Sequence, residues 1–244
     1  MRLCLLPLVV LTLMLAPNGA RADGGIDADR PDFTNGPRAL ETGRWQLEAG
    51  ATRTTQSGAS AWTVGEGLVR HGIAPGLELR LALPTWNRSG DGPEASRGLG
   101  DGGAGFKCTL PGATDALAFG AIGDVTLPTG ARGVGAGVPG GDLVLAVDRA
   151  LTSRLDVTCN AGASRQAGAT ALLVSTSWGL DLGHGLGSWA EWAAAATAHA
   201  TADRFDGGFT LAVGPNVQLD VRAGEGAGDA RGEATLGAGV TTRW

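Results

Sequence analysis

The chain has 244 residues and a mildly acidic net charge of -5, with no basic run, which excludes an electrostatic nucleic-acid surface. Glycine is abundant at 42 residues without a three-residue period, which excludes collagen and argues against long soluble helices. There is no tyrosine, but there are seven tryptophans.

The first element is a targeting signal. Arg2 precedes an apolar stretch from Leu3 to Leu15, and Ala20-Arg21-Ala22 forms a small-x-small cleavage site. The mature chain is therefore expected to start at Asp23. The apolar stretch is too short for a comfortable transmembrane helix, and Cys4 leaves with it. Residues 23–43 are polar, carry Pro31 and Pro37, and show no period. They read as an extended periplasmic segment.

From Arg44 the texture changes to alternation. Trp45, Leu47, Ala49 and Ala51 share one parity, opposite Arg44, Gln46, Glu48 and Thr52. Leu77, Leu79, Leu81 and Leu83 alternate with Glu78 and Arg80. Leu117, Phe119, Ala121, Val125 and Leu127 oppose Asp124 and Thr126. Leu155, Val157 and Cys159 alternate with Asp156, Thr158 and Asn160, and Val217, Leu219 and Val221 with Gln218, Asp220 and Arg222. A period of two means strands with one apolar and one polar face. About twelve such segments occur, near 44–54, 61–71, 77–87, 99–110, 116–127, 141–149, 154–165, 170–182, 187–199, 204–213, 216–224 and 232–244. Two passages fit less well. Leu68 falls on the polar parity of its strand. Trp189–His199, "WAEWAAAATAH", satisfies both a strand and an alanine-rich amphipathic helix.

Short turns such as "GIAPG" and "GHGLG" alternate with longer polar loops at 88–98, 128–141 and 224–232. With an even strand count, this is the pattern of a transmembrane antiparallel up-and-down β-barrel over 44–244. A soluble β-sandwich would need large side chains on its buried face. Here one parity is light and apolar, which suits lipid, while the other carries charges of both signs. The lumen-lining candidates are Arg44, Glu48, Glu78, Arg80, Lys107, Asp124, Asp148, Asp156, Asp220, Arg222 and Arg243. A structural network of ion pairs and a small-solute pathway are both open readings of these charges.

The residues also carry a family resemblance. In "DADRPDFTNGPRALETGRWQLEAG", Asp29, Arg30, Pro31, Asp32, Phe33 and Thr34, then Gly43-Arg44 and Gln46-Leu47-Glu48, resemble the opening of outer-membrane proteins named for the MetA pathway of phenol degradation. "GLGDGGAGFKCTLP", "LPTGARGVGAG" and "VGPNVQLDVRAGEG" are similar to later phrases of that family, so the resemblance spans nearly the whole mature chain. Two features depart from it: the last residue is Trp244 where Phe is usual, and the missing tyrosines thin the aromatic girdle. The resemblance implies a passive transporter for small, aromatic or hydrophobic compounds in the outer membrane of a Gram-negative bacterium. A closed-lumen structural or surface-interaction barrel is the alternative. Trp244 shares a parity with Leu236, Ala238 and Val240 and is expected at the lipid interface. Such a terminal strand also resembles the signal read by the barrel-assembly machinery. The expected partners are outer-membrane lipid, that machinery and a small-molecule solute, with no nucleic acid.

No enzyme is expected. His71, His184 and His199 fall at separate turns or rims, and Gly-x-Ser-x-Gly is absent. No cysteine–histidine cluster has zinc spacing and no loop has calcium spacing, so neither a metal nor a cofactor is implied. Cys108 and Cys159 lie on strands three apart, too far for a disulfide.

Overall fold

The structure, a computed structural model, describes residues 25–30, 33–90, 92 and 94–244. The expected signal peptide lies outside the described residues. Among the described residues every regular element is a strand: β1 (Trp45–Gln56), β2 (Ala59–Val64), β3 (Leu68–Ala74), β4 (Leu77–Ala82), β5 (Trp86–Ser89), β6 (Ser96–Leu99), β7 (Gly102–Thr109), β8 (Leu117–Leu127), β9 (Gly140–Ala150), β10 (Leu155–Gln166), β11 (Ala169–Gly183), β12 (Leu186–Ala196), β13 (Thr201–Ala212), β14 (Val217–Gly228) and β15 (Glu233–Arg243). Each pairs antiparallel with its neighbours, and β15 pairs back onto β1 from Gln46↔Arg243 to Gln56↔Glu233. The sheet is therefore a closed barrel. Three staves are split in two (β2 with β3, β4 with β5, β6 with β7), which leaves twelve staves from fifteen strands.

The splits lie side by side and form a crease in the wall. At its first step the backbone N–H groups of Gly65 and Glu66 both donate to the Gly50 carbonyl, at 2.8 and 3.0 Å. Two residues oppose one, which is a β-bulge. The bulge exchanges the two faces of the stave. Trp62 and Val64 point outward before it, and Ile73 does so after it, on the other parity. That is why Leu68 disturbed the alternation, and why Arg70 faces inward. Pro84, which has no N–H, stands at the same level in the next stave.

The alanine-rich passage is strand, not helix: β12 pairs with β11 on one side and β13 on the other. A helix there would expose two sheet edges, and alanine's helix preference is too small to outweigh that loss of pairing. Two-residue turns close several hairpins. Ser57-Gly58, Ala167-Gly168 and His184-Gly185 all have positive φ, the geometry of type I′ turns. One end of the barrel carries only short connections, together with Trp45 and Trp244, whose backbones exchange hydrogen bonds at 3.0 Å in both directions. The other end carries the two longer loops, between β5 and β6 and between β8 and β9. The connection expected at 224–232 is shorter, because β14 continues to Gly228.

Burial is inverted relative to a soluble protein. Glu48, Arg70, Glu78 and Lys107 are fully buried, whereas Leu143, Leu145 and Leu236 are 57–61% exposed. Charges almost never occupy the core of a water-soluble fold while leucines line its surface. A barrel with lipid outside and a polar lumen inside accounts for both facts. Cys108 and Cys159, on β7 and β10, are free thiols.

Candidate functional site: the lumen and the segment within it

The lumen is occupied by the chain's own N-terminal segment. The sequence expectation put residues 23–43 outside the barrel, but the described part runs inside it, hydrogen-bonded to the wall. The periodic signal that reveals a strand is missing here because the segment is held by side chains of other strands rather than by a ladder of its own.

Its first anchor is Asp29. Lys107 Nζ lies 2.6 Å from Asp29, Arg70 stands 3.7 Å away, and Arg80 pairs with the other carboxylate oxygen. Three cations thus surround one carboxylate of the segment. The charge is balanced by Glu48, 3.0 Å from Arg70, and by Glu78, 2.8 Å from Arg70 and 3.5 Å from Arg80. Glu48 also accepts the backbone N–H groups of Asp29 and Arg30, at 3.2 and 2.8 Å. Arg70 donates to the Asp27 carbonyl at 2.8 Å. Buried ions need this degree of pairing and hydrogen bonding to be tolerated.

The second anchor lies across the lumen. Glu191 on β12 accepts the backbone N–H of Phe33 at 2.8 Å and of Thr34 at 3.0 Å, and the Thr34 hydroxyl at 2.8 Å. Next to it, Asn35 and Asn160 exchange two hydrogen bonds, at 2.8 and 2.9 Å. The segment then returns. Thr109 Oγ1 donates to the Pro37 carbonyl at 3.1 Å and accepts the Ala39 N–H at 2.7 Å. Glu78 accepts the Leu40 N–H at 2.8 Å.

Glycines in the wall make room for this return. A Cβ at Gly120 would stand 2.8 Å from Pro37 Cα, and one at Gly72 would stand 2.7 Å from the Leu40 carbonyl oxygen. Both contacts are with backbone, which cannot swing aside. Gly120→Val is therefore expected to push the Pro37–Leu40 turn off the wall while the β8 ladder stays paired. Trypsin cleavage after Arg38 in folded protein should rise at least several-fold over wild type. Unchanged protection would show that the segment does not rest on Gly120.

The sequence-based lumen candidates divide as follows. Glu48, Glu78, Arg80 and Lys107 come together around Asp29, with Asp124 at 3.3 Å from Arg80. Glu48 pairs with Arg70 rather than Arg80, because β3 lies between β1 and β4. Asp148 stands 3.7 Å from Arg38, and Asp220 stands 3.6 Å from Arg30, both on the segment. The Arg222 guanidinium lies 5.2 Å from the Phe33 ring centroid. Asp156 lines an open cavity described below. Arg44 and Arg243 sit at the short-turn rim: Arg44 pairs with Glu41 at 3.1 Å, and Arg243 donates to the carbonyls of Gly25 and Pro215 at 3.3 and 3.0 Å. Sequence reasoning missed Arg70, Glu191, Asp29 and Arg30. The first was hidden by the bulge and the second by the ambiguous alanine-rich stretch. The histidines stay apart: His71 stacks on Trp45 with ring centroids 3.9 Å apart, and His184 sits in a turn.

Between the segment and the wall lies a cavity of about 510 Å³, lined by Thr34, Gly36, Asp148, Asp156, Thr158 and Ser177 among others. It opens among the short turns at 151–154 and 183–187. At the other end, the loop after β8 is tied to Asp101, whose carboxylate accepts the N–H groups of Gly130 and Ala136, both at 2.7 Å.

The architecture is similar to that of an outer membrane channel and two porins of known structure. The COG4313 outer membrane channel from Pseudomonas putida F1 superposes with a TM-score of 0.62 at 14% identity, covering 89% of this chain and 100% of that one. The KdgM porin gives 0.59 at 10% identity, and the NanC porin 0.58 at 8%, each covering 80% of this chain and 98% of the other. Among curated proteins, none matches this sequence. The family model described as "Putative MetA-pathway of phenol degradation" matches residues 28–244, from the segment's first anchor to the last strand. This chain is therefore a member of the MetA-pathway phenol-degradation family and a twelve-stave barrel of the outer membrane.

Proposed function

We propose that the protein is a passive channel for small solutes, held closed by its own N-terminal segment. The observation that carries this reading is how the segment is retained. From Asp27 to Leu40 the segment is held chiefly by hydrogen bonds and ion pairs to side chains of the wall, partners that water can replace as the segment moves. An apolar core would not exchange in this way. The cavity on the short-turn side supports a path that is already partly hollow. The similar structures, being a channel and two porins, support the same reading. The lumen is polar, so a solute in transit has hydrogen-bonding groups on all sides.

Planar-bilayer recordings test it. Wild-type protein should give small, intermittent steps, and a chain lacking residues 25–40 should give larger, sustained ones. A correctly folded barrel that passes no current in either form would establish the closed-lumen alternative instead. Selectivity adds a second check. Arg80→Ala removes one of the three cations at the Asp29 anchor, so the reversal potential in a salt gradient should move toward cation preference. An unmoved reversal potential in a conducting barrel would mean that ions do not pass Arg80.

A further inference from the structure

We infer that the outer wall at the long-loop end carries a binding site for a phosphorylated glycolipid, formed by Arg53, Arg88 and Arg97 around Trp62. The inference concerns the outside of the barrel and is independent of whether the lumen conducts. Four strands stand side by side there, in the order β1, β2, β5 and β6. Their register puts one residue of each in a single row: Arg53 opposite Trp62, Trp62 opposite Arg88, and Arg88 opposite Arg97. Directly opposed residues of an antiparallel pair project from the same face. That face is the outer one, because Trp62 is exposed, and so are Val64, Trp86 and Leu99 two residues along the same strands. The row presents three guanidinium groups across three strand spacings, about 14 Å of wall.

The row sits at the edge of the apolar belt. One step toward the short turns, Val64, Trp86 and Leu99 form the next outward row, again in register. Two residues of strand separate the rows, about 7 Å. Aromatic and apolar side chains followed by arginines mark the passage from hydrocarbon to headgroups. The cations therefore lie at the depth of lipid phosphate, and the long loops put them in the outer leaflet. Arg53 donates to the Ser60 hydroxyl at 3.1 Å and lies 5.7 Å from the Trp62 ring centroid. Among the described residues none of the three arginines has a carboxylate partner. Arg88 and Arg97 oppose each other as like charges, which costs stability unless an anion joins them. The outward acids at this end, Asp203 and Glu225, lie on β13 and β14, with β15 between them and β1. Asp203 already accepts Trp192 Nε1 at 3.1 Å. A phosphate takes forked, charge-assisted hydrogen bonds from guanidinium groups. A lipid with a phosphate at each end of a sugar headgroup matches this row: one phosphate at Arg88 and Arg97, the other at Arg53, and the sugar on the Trp62 ring.

The test uses the full mature chain refolded in detergent, with native mass spectrometry counting bound lipid. The probes are diphosphoryl lipid A and its fully dephosphorylated form. Wild type should retain one copy of the diphosphoryl lipid and lose the dephosphorylated one. Equal retention of the two would reduce the contact to acyl chains and overturn the inference. The double variant Arg88→Gln with Arg97→Gln should bind the diphosphoryl lipid about tenfold more weakly. Arg165→Gln, which removes an exposed arginine at the same end of the barrel on β10, should leave binding unchanged. An equal loss from Arg165→Gln would show diffuse charge rather than a site. Excess inorganic phosphate should not displace the lipid; displacement would show a free-anion site and overturn the lipid assignment. Melting gives an independent check. Without lipid, Arg88→Gln should melt no lower than wild type, because it removes an opposed like charge. On adding diphosphoryl lipid A, wild type should gain more than the variant. A lower melt of Arg88→Gln without lipid would mean that the protein itself holds Arg88, and would overturn the inference.

Discussion

Asp29→Ala is expected to release the N-terminal segment and to destabilise the barrel interior in the same step. Lys107 is buried, and among the described residues its ion-pair partner is Asp29, at 2.6 Å. Arg70 keeps Glu48 and Glu78 when Asp29 is lost, and Arg80 keeps Glu78 and Asp124. The damage therefore concentrates on one lysine left in a low-dielectric site. Removing one partner of a buried pair typically costs about 3–5 kcal/mol, because the remaining charge is uncompensated. Thermal unfolding should show a clear drop, and bilayer current should rise as the segment leaves. The double change Asp29→Ala with Lys107→Met should recover much of the melt, since it removes the orphaned charge, but it should not restore closure. A double mutant no more stable than Asp29→Ala alone would show that Lys107 is not the group stranded.

This anchor also shows where sequence reasoning reached its limit. The alternation placed Glu48, Glu78 and Lys107 on one parity, and all three are buried, because a lipid-facing stave cannot hide an ion on its outer parity. Closure into twelve staves was legible for the same reason. What the alternation could not show is a partner that has no period of its own. Asp29 sits in an aperiodic stretch, and its role depends on three cations from three different strands. Arg70 was obscured by a single extra residue at Gly65-Glu66, which exchanges the faces of a stave without altering its composition. Glu191 was obscured because alanine neighbours allow either helix or strand, and only pairing with β11 and β13 decides between them. Gly72 and Gly120 looked like ordinary strand glycines, but the close approach of the segment gives them a reason. The resemblance in residues 29–34 lay on the segment itself, so the family's most specific motif coincides with the two anchors rather than with the wall.

The orientation of the wall gives the other large effect. Leu145 lies at the middle of β9, is 59% exposed, and faces outward between Ala121 and Ala161. Neither neighbour is long enough to shield or pair with a charge placed there. Leu145→Arg should therefore cost about 2–4 kcal/mol of folding stability in lipid, the range for a basic residue at the bilayer midplane. Leu79→Arg should cost less, because Leu79 is the third residue of β4 from the short-turn end and an arginine there can reach the interface. Thr158→Arg enters the lumen instead. Thr158 lines the cavity with Asp156, and its register partner on β9 is Asp148, so the added guanidinium meets water and acceptors. Denaturant titrations in vesicles should rank the three as Leu145→Arg least stable, Leu79→Arg intermediate and Thr158→Arg near wild type. Equal stabilities for Leu145→Arg and Thr158→Arg would overturn the assignment of lipid and lumen faces. A Leu79→Arg cost as large as that of Leu145→Arg would leave the faces in place but shift the membrane midplane toward the short-turn end.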